Sequence, residues 1–386
     1  MEVFMDFTYY CEKKKQAYDT ILKKPTDGIP ISMIHIMQHS VIEQIAGVCL
    51  GEYKKDPVNV YLQAQKNMNV DTIDQFIPTN PLKMGDTGYE GGKSVNTGVE
   101  IVTVNGMEIN TPEDVVSHME QFIFPGLKKS IREFDEEKYI ENIITNETKT
   151  QQLFGEDILK TGYAFCPFPI MRYGTYGYVP YFCAYALYPE IMEEDFKLQG
   201  ELALFKNKAA AKAYRQYNLP PLYRADHDMT DSRGTLVDIK SMEKIWFPYL
   251  EKCYHPIIDA GVTVIWHCDG KIMPMVPYLL ECGIKGFQGF QYEDGVDYAK
   301  LCKMKTKEGE GLYIHAGVSV TRTLPMGTPD DVKNELKFLV ENGPKTGLTL
   351  GISSSMVPGV KWENIKTLIE GLNYYRTHGR KRLKFM

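Results

Sequence analysis

The stretch 262–270, VTVIWHCDG, runs five β-favouring, largely apolar residues straight into His267, Cys268 and Asp269, and Gly270 then lets the backbone turn. Side chains alternate along a strand, so His267 and Asp269 are expected on one face and Cys268 on the other. The pattern returns along the chain. GFQGFQYE (286–293) ends in Gln291 and Glu293, GLYIHAG (311–317) carries His315, and TGLTLGISSS (346–355) ends in Ser353, Ser354 and Ser355. An earlier segment closes on Asp226-His227-Asp228, where Asp226 and Asp228 share a face and His227 lies opposite. Imidazole and carboxylates at neighbouring strand ends can hold a divalent metal, most simply zinc, or move a proton. We read His267, Glu293 and His315 as metal-ligand candidates, and His267, Asp269 and Asp226 as the catalytic ones. Asp269 is open to three roles: ligating a metal, orienting His267, or capping the next helix. Cys268, turned away by alternation, reads as a packed thiol.

The elements that must position these residues have a regular rhythm after Pro220. Strand Leu222–Asp226 precedes a helix through Ile239–Ala260, and strand Val262–His267 a helix through Met273–Cys282. Lys285–Gln291 leads to Val296–Met304, and Leu312–Val318 to Pro329–Asn342. Gly347–Ile352 leads to the final helix, Trp362–Arg376. Five parallel βαβ units follow the tyrosine-rich segment 163–188, and two or three strands precede it, among them Ile29–Met37 and Asp71–Pro78. Eight strands is the count of a closed (β/α)8 barrel, whose active site lies at the C-terminal strand ends. No GxGxxG follows a first strand to support an open doubly wound sheet. We expect one α/β domain over residues 1–386, with a helical extension over 1–28 and a hairpin and helical insertion over 85–150. Within the insertion, VEIVTVNGMEIN (99–110) has the Asn-Gly step of a β-hairpin. Thr111-Pro112 and Thr328-Pro329, each followed by acids, are helix starts. The Gly-rich 85–98 lacks the Gly-Lys-Ser/Thr of a phosphate loop and reads as a mobile flap.

Bulk properties narrow the functional class. The chain has 386 residues, 43% hydrophobic and 24% charged, with net charge −6, so neither a nucleic-acid surface nor an anionic-membrane patch is indicated. No apolar run approaches a membrane span, and MEVFMDFTYYCEKKK lacks the order of a signal peptide, so we expect a cytoplasmic protein. Its eight scattered cysteines, without a CxxC pair, read as reduced thiols. Twenty-five tyrosines, concentrated in 163–188, suit either a packed core or oligomer interface, such as a homodimer's, or the wall of a pocket.

The segments RADHDMTDSRGTLVD, GVTVIWHCDG and ECGIKGFQGFQ, with TLPMGTPDDVKNEL and LGISSSMVPGVKWENIKTLIE after them, resemble the uroporphyrinogen decarboxylase superfamily. The resemblance covers residues 220–376 and, more faintly, 29–78, and it implies the same barrel with an N-terminal helical extension. The superfamily's decarboxylases carry an Arg-Gln-Ala-Gly-Arg stretch near the first strand, where this chain has HIMQHSVIEQIAG (35–47) and no arginine. A substrate with many carboxylates needs basic partners, so decarboxylation is disfavoured. The other branch holds cobamide-dependent methyltransferases, whose zinc sites resemble a His-x-Cys pair plus a Cys near the last strand. Here the matching places hold His267-x-Asp269 and the serines 353–355. An oxygen- and nitrogen-rich site suits polarising an ether oxygen better than activating a thiol. The resemblance therefore implies a methyltransferase that moves a methyl group from a small, aromatic methyl ether to the corrinoid of a partner protein. The tyrosine-rich segment would wall in the ring, and His39, Gln38, Asp228 and Ser354 would face the cofactor. A tetrapyrrole decarboxylase and a non-catalytic corrinoid-binding module are the alternatives.

Overall fold

The computed structural model describes residues 6–83 and 102–380. The flap expected over 85–98 lies outside them, as does the start of the hairpin segment. Six parallel strands form one sheet: Gly162–Tyr163, Leu222–Asp226 (β4), Thr263–His267 (β5), Gly286–Gln288 (β6), Tyr313–Val318 (β7) and Leu348–Ile352 (β8). The first of these continues Leu159–Lys160, and together they make β3. Leu159–Lys160 pairs in parallel with Thr72–Ile73 (β2). The short segment 30–32 (β1) then bridges β2 through Ser32 and Thr72, and β8 through Ile31 and Leu350. Backbone bonds of 2.8 Å from Ser32 N to Leu350 O and 3.0 Å from Leu350 N to Pro30 O close the ring. The chain is a (β/α)8 barrel.

The strands after residue 220 lie where hydrophobic patterning put them, because each is buried on both faces and reads as a run of apolar residues. The predicted helix 239–260 is two helices, Ile239–Ile245 and Phe247–Asp259, broken at Trp246. Thr111 and Thr328 each close a reciprocal capping box with an aspartate three residues on, with proline at the first helical position. The Asn105-Gly106 turn joins strands Val102–Val104 and Met107–Ile109, both turn residues having positive φ.

The two N-terminal helices, Thr8–Lys13 and Lys15–Ile21, sit under the barrel. Cys11 and Ile21 pack in one cluster with Leu159, Leu222, Ile265 and Tyr313 from β3, β4, β5 and β7. This plug closes the N-terminal end, so the interior opens only towards the C-terminal strand ends.

The tyrosine-rich segment folds mainly as the helices Tyr173–Tyr176 and Tyr178–Leu187, with Tyr176, Tyr181 and Tyr185 buried in the main core. None of its residues lines the barrel cavity described below, but the Tyr163 hydroxyl donates to Asp226 and the Tyr173 hydroxyl to the Asp228 carbonyl. Tyr163, Tyr173, Tyr178 and Tyr188 stay partly exposed. All eight cysteines are free thiols.

Candidate active site at the barrel mouth

Parallel register places one residue from each of five strands in a single row: Asp226 opposite His267, His267 opposite Gln288, Gln288 opposite His315, and His315 opposite Thr349. Residues paired this way in a parallel sheet share a face, and the first four of the row line a cavity of about 110 Å3 inside the barrel mouth. The remaining lining comes from just past β1 (Met33, His35), just past β2 (Asp74, Gln75), from Arg224, and from Ile352, Ser354 and Ser355 at the end of β8.

Arg224, buried two residues before Asp226 on β4, organises the floor. Its Nε donates to Asp74 (2.5 Å), its Nη1 to Asp226 (2.7 Å) and its Nη2 to Gln75 (2.9 Å), while the guanidinium lies 4.6 Å from the centre of the Tyr163 ring. Burial works against its charge, but the two carboxylates outweigh that and push its pKa up. Burial likewise opposes the Asp74 carboxylate, yet Arg224 holds its pKa below the usual value. The Asp226 oxygen bound to Arg224 also accepts from the Tyr163 hydroxyl at 3.3 Å. Sequence reasoning missed Arg224, although the signal was present. A charged residue inside an apolar strand, in the order Arg224-x-Asp226-x-Asp228, puts all three on one face.

His267 ends β5, with Nδ1 3.1 Å from the carbonyl of Gln288 and Nε2 3.9 Å from Asp269. Two glycines make room for the imidazoles. A Cβ on Gly289, which has φ +73°, would lie 2.8 Å from His267 Nδ1, and one on Gly351 would lie 2.7 Å from His315 Nε2. Among the described residues, one group of histidine, cysteine and acidic side chains has the proximity of a metal site. Asp226, Asp228 and His267 offer ligand atoms within 4.8 Å of one another.

Asp269 stands beside this group. Its backbone N donates to Asp228 (2.9 Å) and its Oδ2 accepts from Ser354 at 3.5 Å. Burial, with Asp228 and Asp226 nearby, pushes its pKa up, and His267 offsets only part of this. It caps no helix, since the next begins at Val276 after Met275.

His315 is interior and 6% exposed, and its pKa is pushed down to about 4 by burial, helped by Arg224 and His267. It is two strands from His267 and outside the Asp226–Asp228–His267 group. Glu293 lies in the one-turn helix Tyr292–Asp294 past β6, and its side chain lies outside the described residues. His39 and Gln38 do not line the cavity. His39 is buried in the helix after β1, its Nε2 2.9 Å from the Pro81 carbonyl, and Gln38 accepts from Gly359 N at 3.2 Å. Cys268 faces the packed side, where its sulfur accepts from Met229 N at 3.2 Å and burial pushes its pKa up to about 12. His227 turns away as alternation requires, accepting from Met171 N at 2.9 Å and stacking on Tyr173.

Residues 227–375 match the uroporphyrinogen decarboxylase family (URO-D). The likeness to that family therefore covers the C-terminal part of the chain. The match starts one residue after Asp226 and takes in β5 to β8 with their helices, the part whose motifs carried the resemblance. Among solved structures, a methyltransferase from Methanosarcina mazei aligns over 94% of this chain and 98% of its own, with a TM-score of 0.55 and 16% identity. A Listeria monocytogenes protein described as a vitamin-B12-independent methionine synthase aligns over 91% of this chain and 96% of its own, with 12% identity and a TM-score of 0.41. At such identities the likeness is one of fold, and the second score carries no argument. No curated protein sequence matches the chain.

Proposed function

We propose that this chain belongs to the uroporphyrinogen decarboxylase superfamily and is a methyltransferase that takes a methyl group from a small donor and passes it to the corrinoid of a partner protein. The observation that carries the reading is the group Asp226, Asp228 and His267 at the one open end of the barrel. Each member has one atom already committed and one to spare. Asp226 is held by Arg224 and Tyr163, Asp228 Oδ1 by Asp269 N, and His267 Nδ1 by the Gln288 carbonyl. Outer hydrogen bonds of this kind aim ligands at a metal. Two carboxylates and an imidazole fit zinc, and a three-residue set leaves a coordination position for substrate. When bound, the metal supplies Lewis-acid polarisation of the donor's heteroatom. The protein's own part is to hold that heteroatom beside His267 and Asp226, to keep Asp269 within reach as a proton carrier, and to exclude water with the plugged barrel.

The overall likeness to the M. mazei methyltransferase supports this branch of the superfamily. Tetrapyrrole decarboxylation fits poorly. The one arginine lining the cavity is already engaged by two carboxylates, so none is spare for a substrate bearing many carboxylates. The deciding experiment is methyl transfer to cob(I)alamin by metal-loaded protein, scored alongside carbon dioxide release from uroporphyrinogen. Methyl transfer without decarboxylation is expected; decarboxylation without methyl transfer overturns the reading.

A further inference from the structure

The cavity under the metal-ligand group limits what the methyl donor can be. Displacement at a methyl carbon needs the attacking and departing atoms on opposite sides of it, aligned. A corrinoid is too large to enter a barrel closed below by Cys11, Ile21 and their partners, so it approaches from the mouth. The methyl group must then point outward, and the part left behind points inward. The barrel interior therefore reads the leaving part of the donor.

That interior is small and polar. A cavity of about 150 Å3 is what benzene fills. The 110 Å3 here holds a few non-hydrogen atoms and no aromatic ring. Of the lining side chains only Met33 and Ile352 are apolar. Two buried polar atoms of the lining, His315 Nε2 and Gln288 Oε1, have no hydrogen-bond partner, which is costly unless a ligand supplies one. Arg224 is matched by Asp74 and Asp226, so the lining offers no spare positive charge for a carboxylate tail. His315, with its pKa near 4, is neutral at physiological pH and adds none.

We propose that the donor is a small aliphatic O-methyl compound, methanol or a short hydroxy-ether, whose leaving part has at most about four non-hydrogen atoms, and that Met33 and Ile352 set this size limit. The inference rests on the methyl-transfer reading and specifies its substrate. In the reaction the methyl–oxygen bond breaks with its electron pair staying on oxygen. The oxygen takes a proton, and the methyl carbon accepts the electron pair of the reduced corrinoid, whose cobalt(I) is oxidised by two electrons as the new bond forms.

The test uses wild type, Met33→Ala and Ile352→Ala, each truncation removing three heavy atoms from the wall. Metal-loaded proteins are given cob(I)alamin with methanol, 2-methoxyethanol or 2-methoxyphenol. Binding of the two ethers without corrinoid is followed by ligand-observed NMR, and fold by circular dichroism. Wild type should bind and demethylate 2-methoxyethanol at least tenfold better than 2-methoxyphenol, and the truncations should raise the relative rate with the phenol by tenfold or more. A wild type that prefers 2-methoxyphenol, or folded truncations that leave the preference unmoved, overturns the size limit while methyl transfer stands. Selective binding of 2-methoxyethanol with no transfer from any donor upholds the small-ligand cavity and overturns methyl transfer. Neither binding nor transfer overturns both.

Discussion

His267 Nδ1 lies 3.1 Å from the carbonyl oxygen of Gln288, its register partner on the next strand. A carbonyl only accepts, so Nδ1 carries the hydrogen and the lone pair of the neutral ring sits on Nε2. The same contact fixes the ring's orientation at the barrel mouth. A structural backbone bond thus produces the tautomer a metal requires.

Metal content should follow that geometry. The protein is expected to bind about one zinc per chain, and His267→Ala and Asp226→Asn should each weaken binding by at least about tenfold to a hundredfold, as loss of a supporting or direct ligand does. Elemental analysis and competition with a chromophoric chelator measure this, with circular dichroism confirming the fold. Stoichiometric, tight zinc in folded His267→Ala would exclude this residue as a ligand.

Cys268→Ser supplies the opposite control. The thiol accepts from Met229 N and meets Thr230 on the packed side of the strand, 4% exposed. A serine can keep those contacts, so zinc content should be unchanged and stability should move by about 1 kcal/mol. Zinc lost from this variant alone would mean that β5 presents Cys268, and not His267, to the mouth.

Arg224 ties β4 to the residues past β2, and its removal would leave Asp74 and Asp226 facing each other without a counter-charge. Arg224→Gln should therefore cost about 3–5 kcal/mol in urea denaturation. Arg224→Lys should recover only part of that, because an ammonium cannot reach Asp74, Asp226 and Gln75 in one plane. A near-neutral Arg224→Gln would show that these carboxylates find other partners or are protonated.

Reading the chain forward, the barrel was legible from its C-terminal half because those strands are buried on both faces and end in polar residues. β3 was not, since Lys160 and Gly162 interrupt its apolar run, and what pays for Lys160 inside is a distant ion pair with Glu147 at 2.9 Å. The helices Glu136–Phe154 and Pro189–Tyr217 also went unread, being mixed polar stretches stabilised by packing on each other and on the barrel. At the site, alternation placed His267, Asp226 and Asp228 on shared faces. It could not show that Asp226 meets His267 in register while His315 lies two strands away, because register between strands is a tertiary fact.

Two buried histidines give the fold an acid limit that can be calculated in sign. His35 is held between the Tyr61 hydroxyl at 2.6 Å and Asn80 at 3.1 Å, and His315 sits inside β7. Burial, with Arg224 adding to it, pushes both pKa values down to about 4 from the ordinary 6.5. Between these values the unfolded chain binds protons that the folded chain refuses. Stability from these groups is thus complete above about pH 6.5, falls as pH drops towards 4, and is lost below it. These two groups contribute roughly 3 kcal/mol per pH unit at most, and His227, pushed down to about 4 by its own burial, adds to the same slope. Urea midpoints from pH 8 to pH 4 should be flat at first and then decline through that window. His35→Gln keeps a hydrogen-bonding side chain without the titration, so it should reduce the slope by about one proton. An unchanged slope in that variant would mean that His35 is already charged in the folded protein.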